Sequence, residues 1–256
     1  MLSVERTDAW VLIRLDRPEV GNALNGDLVE KFLALLSELR ADESVRAVVV
    51  GGSGKIFSAG ADLNWMRRMQ DAGQEENRRD AERTAELFTA LYDFPRPVIA
   101  AVNGPARGGG VGLVASCDFA IAVSKASFAF TEVRLGLIPA MISPFVLRKM
   151  GESRARRLFL TGETFRAEQA MAWGLVDRVV EVDDLDEAVR SFLEELRPCA
   201  PNATNEVKRL VREVTDLPHE KAVPLTARLI ADIRTTPEAQ EGMAAFLEKR
   251  PPKWAK

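Results

Sequence analysis

The sequence is poor in the residues on which several kinds of protein depend. Its 256 residues include one histidine, His219, and two cysteines, Cys117 and Cys199. A zinc site or a Ser-His-Asp arrangement would have to use that one histidine. It stands beside Pro218 in a polar stretch expected to be exposed, which argues against both chemistries. The two cysteines are far apart and lack metal-ligand spacing, which argues against a disulfide framework and fits a reducing compartment. No apolar run is long enough to span a bilayer, and the start, MLSVERTDAW, has neither the basic opening nor the apolar core of a signal peptide. The expectation is a cytoplasmic protein with no membrane partner. Charge of one sign is also lacking: 35 Lys and Arg against 38 Asp and Glu leave a net charge of −3. No basic stripe stands out, so a nucleic-acid partner is not expected.

What remains is an ordinary globular composition, 46% hydrophobic and 29% charged, in a chain long enough to bury a sizeable core. Residues 2–6 and 9–15 alternate and predict two short strands. Asn25 is placed to cap a helix with Leu28, Phe32, Leu35, Leu36 and Leu39 on one face. Three short runs rich in branched residues follow, at 46–50, 97–102 and 119–123, in the pattern of strands buried on both faces. Helical stretches between them, notably Ala81 to Leu91, predict an α/β core with a parallel sheet. The almost wholly polar Asp71 to Asp80 reads as a surface loop. From about residue 183 strand signals give way to helices at 202–214, 220–234 and 237–249, punctuated by Pro201, Pro218 and Pro237.

Three segments carry candidate chemistry. FSAGADL (57–63) follows the strand at 46–50 and precedes a helix. It suits close approach of a ligand to backbone N–H groups, and equally a tight turn capped by Asp62. NGPARGGGVG (103–112) follows the strand ending at Val102. Its glycines would weaken a helix by roughly 1 kcal/mol each relative to alanine, so they imply either close packing or amides turned toward an anion. It has neither dinucleotide-site nor P-loop spacing. FAFTEVRLGLIP (128–139) sets Glu132 and Arg134 among apolar residues. There a carboxylate is either a surface pair with its arginine or a desolvated acid/base group with a raised pKa.

In order and spacing FSAGADL, AVNGPARGGG, CDFAIA and the Glu-x-x-x-Gly-x-x-Pro run resemble the crotonase (enoyl-CoA hydratase/isomerase) superfamily. The likeness continues through LTGETFRAEQAMAWGLVDRVV to GMAAFLEKRPPKW, so it covers essentially the whole chain. It implies an α/β fold, a crotonase-like spiral of ββα turns over residues 1–195, with a helical C-terminal trimerisation part over 196–256. It further implies a homotrimer or homohexamer. Carried over by position, the resemblance makes the N–H groups of Ala61 and Gly109 the oxyanion-hole donors for a thioester carbonyl, and Glu132 the acid/base group. Ala59, Asp62 and Leu63 match the stretch beside the pantetheine and adenine of coenzyme A, and Asn22 and Ala23 begin a motif near the same ligand. Arg17 and Lys55 are both open as partners of the 3′-phosphate. No metal and no cofactor are implied, coenzyme A being part of the substrate.

One departure matters most. Hydratases of this family hold water between two glutamates; the second matches Glu132, but the first falls on Gly112, which belongs to the same substrate site. The remaining readings are water addition by one carboxylate, double-bond isomerisation by the same group, or a CoA-ester-binding protein of little activity. The segments AGADLNWM and EVRLGLIPAMISPF look like bacterial methylglutaconyl-CoA hydratase relatives of leucine degradation, which favours the first. A substrate carboxylate would then pair with Arg107 or Arg134, either of which is otherwise a solvated surface charge.

Overall fold

The branched apolar runs form one sheet. In the computed structural model, which describes residues 1–7 and 9–255, strands β1 (Leu2–Arg6) and β2 (Trp10–Leu15) pair antiparallel. Helix α1 (Gly26–Ala41) follows, opened by the Asn25 side chain, which accepts the Leu28 N–H. Strand β3 (Ala47–Gly52) then joins β2 in parallel. Its residues Ala47 to Gly51 are all buried, as expected of a strand covered on both faces.

Helices α2 (Leu63–Asp71) and α3 (Gln74–Tyr92) come next. The loop expected from Asp71 to Asp80 is therefore mostly helix, broken only at Ala72 and Gly73. Its polar residues pair along the helix surface, Arg78 with Glu75 and Glu82, and Arg79 with Glu75. Such i,i+3 and i,i+4 pairs support a helix turn that buries little. The Asn77 side-chain amide donates to the carbonyls of Met69 and Ala72 and so closes the end of α2.

From there the chain winds through a repeated unit. Strand β4 (Val98–Val102) enters the large sheet, β5 (Ala106–Arg107) enters a second, small sheet, and α4 (Gly109–Ser116) returns. The next turn repeats this with β6 (Phe119–Val123), β7 (Ser127–Ala129), a 3-10 turn at Glu132–Leu135 and α5 (Ser143–Met150). Then come α6 (Glu152–Thr161), β8 (Phe165–Arg166), α7 (Ala167–Ala172), β9 (Arg178–Val180) and α8 (Leu185–Leu196). The large sheet runs β1-β2-β3-β4-β6-β9, parallel after the first pair, and the small one β5-β7-β8. An isolated bridge from Ser58 to Ala106 extends the small sheet back to the β3 turn.

The chain divides into two compact units, Met1–Val189 and Arg190–Lys256. The second consists of the end of α8, then α9 (Pro201–Thr215), α10 (His219–Arg234) and α11 (Pro237–Leu247). Within it the Glu238 carboxylate accepts the first free N–H groups of α9, from Asn202 and Ala203. The Trp254 indole N–H donates to the Pro198 carbonyl. Leu225, Leu229 and Ile233 of α10 are half-buried here. The exposed apolar residues are others, chiefly Val207, Val211, Phe246 and Leu247.

Candidate active site

The glycine-rich turns of the first unit bring two backbone amides, those of Ala61 and Gly109, against the same residue, Leu24. Leu24 N–H donates to the Gly60 carbonyl at 2.7 Å and its own carbonyl accepts the Asp62 N–H at 2.8 Å. This pairing alternates, so the intervening Ala61 N–H points away from Leu24, and it has no acceptor among the described residues. Gly60 has φ +90°, and a Cβ placed there would lie 2.9 Å from the Arg107 carbonyl oxygen. Only glycine tolerates that conformation at that approach. The neighbouring run is tied on by the Arg107 N–H, which donates to the Ser58 carbonyl at 2.9 Å. Gly109 is the first residue of α4, where an N–H has no partner within the helix, and it has no other acceptor among the described residues. A Cβ on Gly109 would lie 3.0 Å from Leu24 Cδ1. Leu24 thus pairs with the Ala61 segment through its backbone and covers Gly109 with its side chain.

Glu132 reaches the residue just before Gly109. It opens the 3-10 turn at 132–135, which Gly136 closes at φ +73°. Its carboxylate lies against the backbone of Gly108, with Oε1 3.0 Å from where a Cβ would sit. Gly108 adopts φ +45° and ψ −115°, which a larger residue could not do beside the carboxylate. Oε2 of Glu132 is buried without a hydrogen-bond partner. Burial pushes the carboxyl above its ordinary 4.5, opposed in part by a hydrogen bond from its own backbone amide. A buried acceptor left without a donor costs about 1–3 kcal/mol, and the same lack leaves it open to a water or a proton.

The two arginines differ. Arg107 is half-buried and turned to the small sheet, donating to the carbonyls of Ala106 and Ser127 and to the Ser127 hydroxyl. Burial holds its pKa below the ordinary guanidinium range. Arg134, two residues from Glu132, is exposed; its Nε lies near Gly162, and it has no carboxylate partner among the described residues.

Of the residues expected around coenzyme A, Ala59 and Leu63 are exposed, Leu63 strongly at 70%. Asn22, Ala23 and Asp62 are buried instead and hold the turns together. The Asn22 side chain accepts the Arg17 N–H and donates to the carbonyls of Ser53 and Ile56. Asp62 caps α2 through the Asn64 and Trp65 N–H groups and pairs with Arg17 at 2.7 Å. Arg17 also donates to the Ala23 carbonyl, so its guanidinium is engaged, while Lys55 is exposed. The space beside Gly112 is filled. A Cβ there would lie 2.2 Å from Ile142 Cγ2 and 3.0 Å from Phe88 Cε1. Gly110 is also crowded, its Cβ position 2.7 Å from the Ser58 carbonyl oxygen, so close packing explains both glycines. Sequence reading missed Ile142 and Phe88. The one signal pointing to them was the glycine itself, whose missing volume some other side chain had to occupy.

Comparison with known proteins completes the picture. Residues 5–256 match the family model described as enoyl-CoA hydratase/isomerase. A crystal structure of an enoyl-CoA hydratase from Shewanella pealeana superimposes with a TM-score of 0.96 and 39% identity, covering 99% of this chain and 95% of that one. The 2,3-dehydroadipyl-CoA hydratase of Escherichia coli is 32% identical over 252 residues, covering 98% of this chain and 97% of its own. The trans-2-decenoyl-[acyl-carrier-protein] isomerase of Streptococcus mutans is 31% identical over 244 residues, 94% of this chain and 93% of its own. The spiral α/β fold with a helical C-terminal part is thus the fold of these relatives.

Proposed function

The chain belongs to the enoyl-CoA hydratase/isomerase family, and from that premise we propose that it is a hydratase adding water to a 2-enoyl-CoA with Glu132 as its single acid/base group. The observation that carries this reading is the buried, partnerless Oε2 of Glu132, whose carboxylate lies against Gly108, beside Gly109, one of two amides without an acceptor among the described residues. The thioester carbonyl sits at the N–H groups of Ala61 and Gly109. The Glu132 carboxylate takes a proton from water as its oxygen bonds to Cβ. The electron pair of the double bond moves onto the carbonyl oxygen, where the two amides hold the resulting enolate. Loss of one such donor typically costs about 3–4 kcal/mol. Glu132 then returns the proton to Cα, on the face from which water came. The raised pKa suits both halves of this transfer. No metal or cofactor takes part, and coenzyme A enters with the substrate.

For the acyl group we propose a compact, branched, carboxylated enoyl-CoA of the 3-methylglutaconyl type, as in leucine degradation, rather than a straight fatty acyl chain. With glycine at 112 in place of a second glutamate, the substrate's own carboxylate helps hold the water, and Arg134, exposed and without a carboxylate partner among the described residues, is the candidate to pair with it. A paired, partly desolvated carboxylate is worth about 2–4 kcal/mol when its partner is lost. The dehydroadipyl-CoA relative, whose acyl group is carboxylated but unbranched, supports the carboxylate and not the branch. Leu63 and Ala59 border the pantetheine in this reading, and Asn22, Ala23 and Asp62 act by holding that border in shape. The protein works in the cytoplasm as a homotrimer or homohexamer, its exposed Phe246 and Leu247 covered by neighbouring copies. Hydration of crotonyl-CoA and 3-methylglutaconyl-CoA measured side by side tests the assignment. The expected preference in kcat/KM for the latter is at least about tenfold, equal to about 1.4 kcal/mol; equal or better efficiency on crotonyl-CoA removes the substrate assignment. The isomerase relative favours a second reading, in which Glu132 moves a proton between carbons. Exchange of double-bond position without water uptake in the same assay would select it.

A further inference from the structure

One face of the first turn of α4 is covered by buried apolar side chains. Gly109 and Gly112 are three apart in that helix and share a face. Along that face lie Leu24 Cδ1 against Gly109, the edge of the Phe88 ring against both glycines, and Ile142 Cγ2 against Gly112. Ile142 is held in place by its backbone and by burial. Its carbonyl accepts the Phe145 and Val146 N–H groups at the start of α5, and it is 2% exposed. Behind it the Phe145 ring packs on Phe88 and Tyr92. A β-branched side chain so fixed has essentially one rotamer to offer.

We propose that Ile142 is a specificity-determining residue that closes the acyl pocket over Gly112, so that the site takes a compact acyl group and rejects a long unbranched one. This rests on the reading that the thioester carbonyl lies at Ala61 and Gly109. An acyl chain starting there and passing Glu132 runs along the first turn of α4 and meets the Ile142 methyl. A 3-methyl branch packs against that wall, whereas an extended chain has to displace it. The glycine at 112 and the isoleucine at 142 act as one device: the first makes the room and the second fills it.

The test compares wild type with Ile142→Ala, which removes Cγ2, and Ile142→Leu, which moves the branch away from Gly112 at nearly constant volume and keeps the fold if the alanine does not. Two readouts are taken for each: kcat/KM on crotonyl-, 2-hexenoyl- and 2-octenoyl-CoA, and the Kd of butyryl- and octanoyl-CoA by calorimetry. One methylene in an apolar pocket discriminates by about 10–200-fold, so Ile142→Ala should raise the eight-carbon to four-carbon ratio at least about tenfold in both readouts. Ile142→Leu should move it the same way. If wild type shows the length preference in binding and loses it in the variants, yet hydrates nothing, the hydratase reading fails and this one stands. Unchanged ratios in folded variants, or a wild type that binds both lengths equally, overturn it.

Discussion

Replacing Arg17 by methionine isolates one buried interaction that holds the Ala61 amide in place. Arg17 and Asp62 lie 2.7 Å apart with side chains only 16% and 5% exposed. Burial alone would raise the Asp62 pKa, but the Arg17 hydrogen bond and the Trp65 and Asn64 amides outweigh it and hold the carboxyl below its ordinary 3.8. Removing one partner of a buried pair costs about 3–5 kcal/mol. Asp62 keeps its two amide donors, so the lower end, about 3 kcal/mol, is expected for Arg17→Met. At about 2–4 °C per kcal/mol for a protein of this size, Tm should fall by roughly 6–12 °C. Arg17→Met/Asp62→Asn removes the stranded charge while keeping an acceptor for the cap, and should recover at least about 1 kcal/mol of the loss. Because the stabilised form of Asp62 is the carboxylate, the pair contributes fully above pH 3.8 and is lost as pH falls through the lowered value. The gap between wild type and Arg17→Met in urea melts should therefore persist from neutral pH to about that point and close only below it. Ala61 precedes Asp62, so kcat should fall with stability, by about tenfold for each 1.4 kcal/mol of lost amide placement. An Arg17→Met protein within about 1 kcal/mol of wild type, or a double variant no better than the single, refutes the argument.

Glu132 gives the opposite sign. Its raised pKa means that the folded state disfavours the carboxylate, a destabilisation absent below pH 4.5 and fully present above the raised value. Glu132→Gln should accordingly melt higher than wild type at neutral pH and lose that advantage in acid, while the acid limb of wild-type activity should lie above pH 4.5. Gly112→Glu does not restore a second acid in this fold, because Ile142 Cγ2 lies 2.2 Å from the new Cβ. Overpacking costs about 1–3 kcal/mol, and the variant should melt lower than wild type with no gain on crotonyl-CoA; a gain would mean that the wall yields. Gly109→Pro removes one amide at a helix position where proline is tolerated. Its ring must push Leu24 Cδ1, 3.0 Å from the Cβ position, so it should keep its helical circular dichroism, melt somewhat lower and lose about 10²–10³-fold in kcat; an unaffected kcat would take Gly109 out of the site.

The parallel strands could be read from the sequence because burial on both faces leaves unbroken branched runs such as Val48 to Val50. The same logic failed at Asp71–Asp80, where a polar surface held by arginine–glutamate pairs has the composition of a loop and the backbone of a helix. The resemblance singled out the Ala61, Gly109 and Glu132 segments, and the structure brings Leu24 against the first two and the Glu132 carboxylate against Gly108. The resemblance could not separate exposed residues such as Ala59 and Leu63 from buried ones such as Asn22, which donates to the distant carbonyls of Ser53 and Ile56, and Asp62, which pairs with Arg17. The filling of Gly112 by Ile142 is a packing fact between different turns of the spiral, and its only local trace is the glycine itself.

The most direct measurement is the turnover of Glu132→Gln on crotonyl-CoA and 3-methylglutaconyl-CoA, with Kd for a saturated acyl-CoA measured on the same preparation. The amide keeps the shape of the side chain but cannot take a proton from water, so the loss should fall on kcat and leave binding within a few-fold. Turnover reduced at least about hundredfold is the range expected for removal of a general acid/base. A variant that binds normally and keeps more than about a tenth of the wild-type rate would show that Glu132 is not the group that moves the proton.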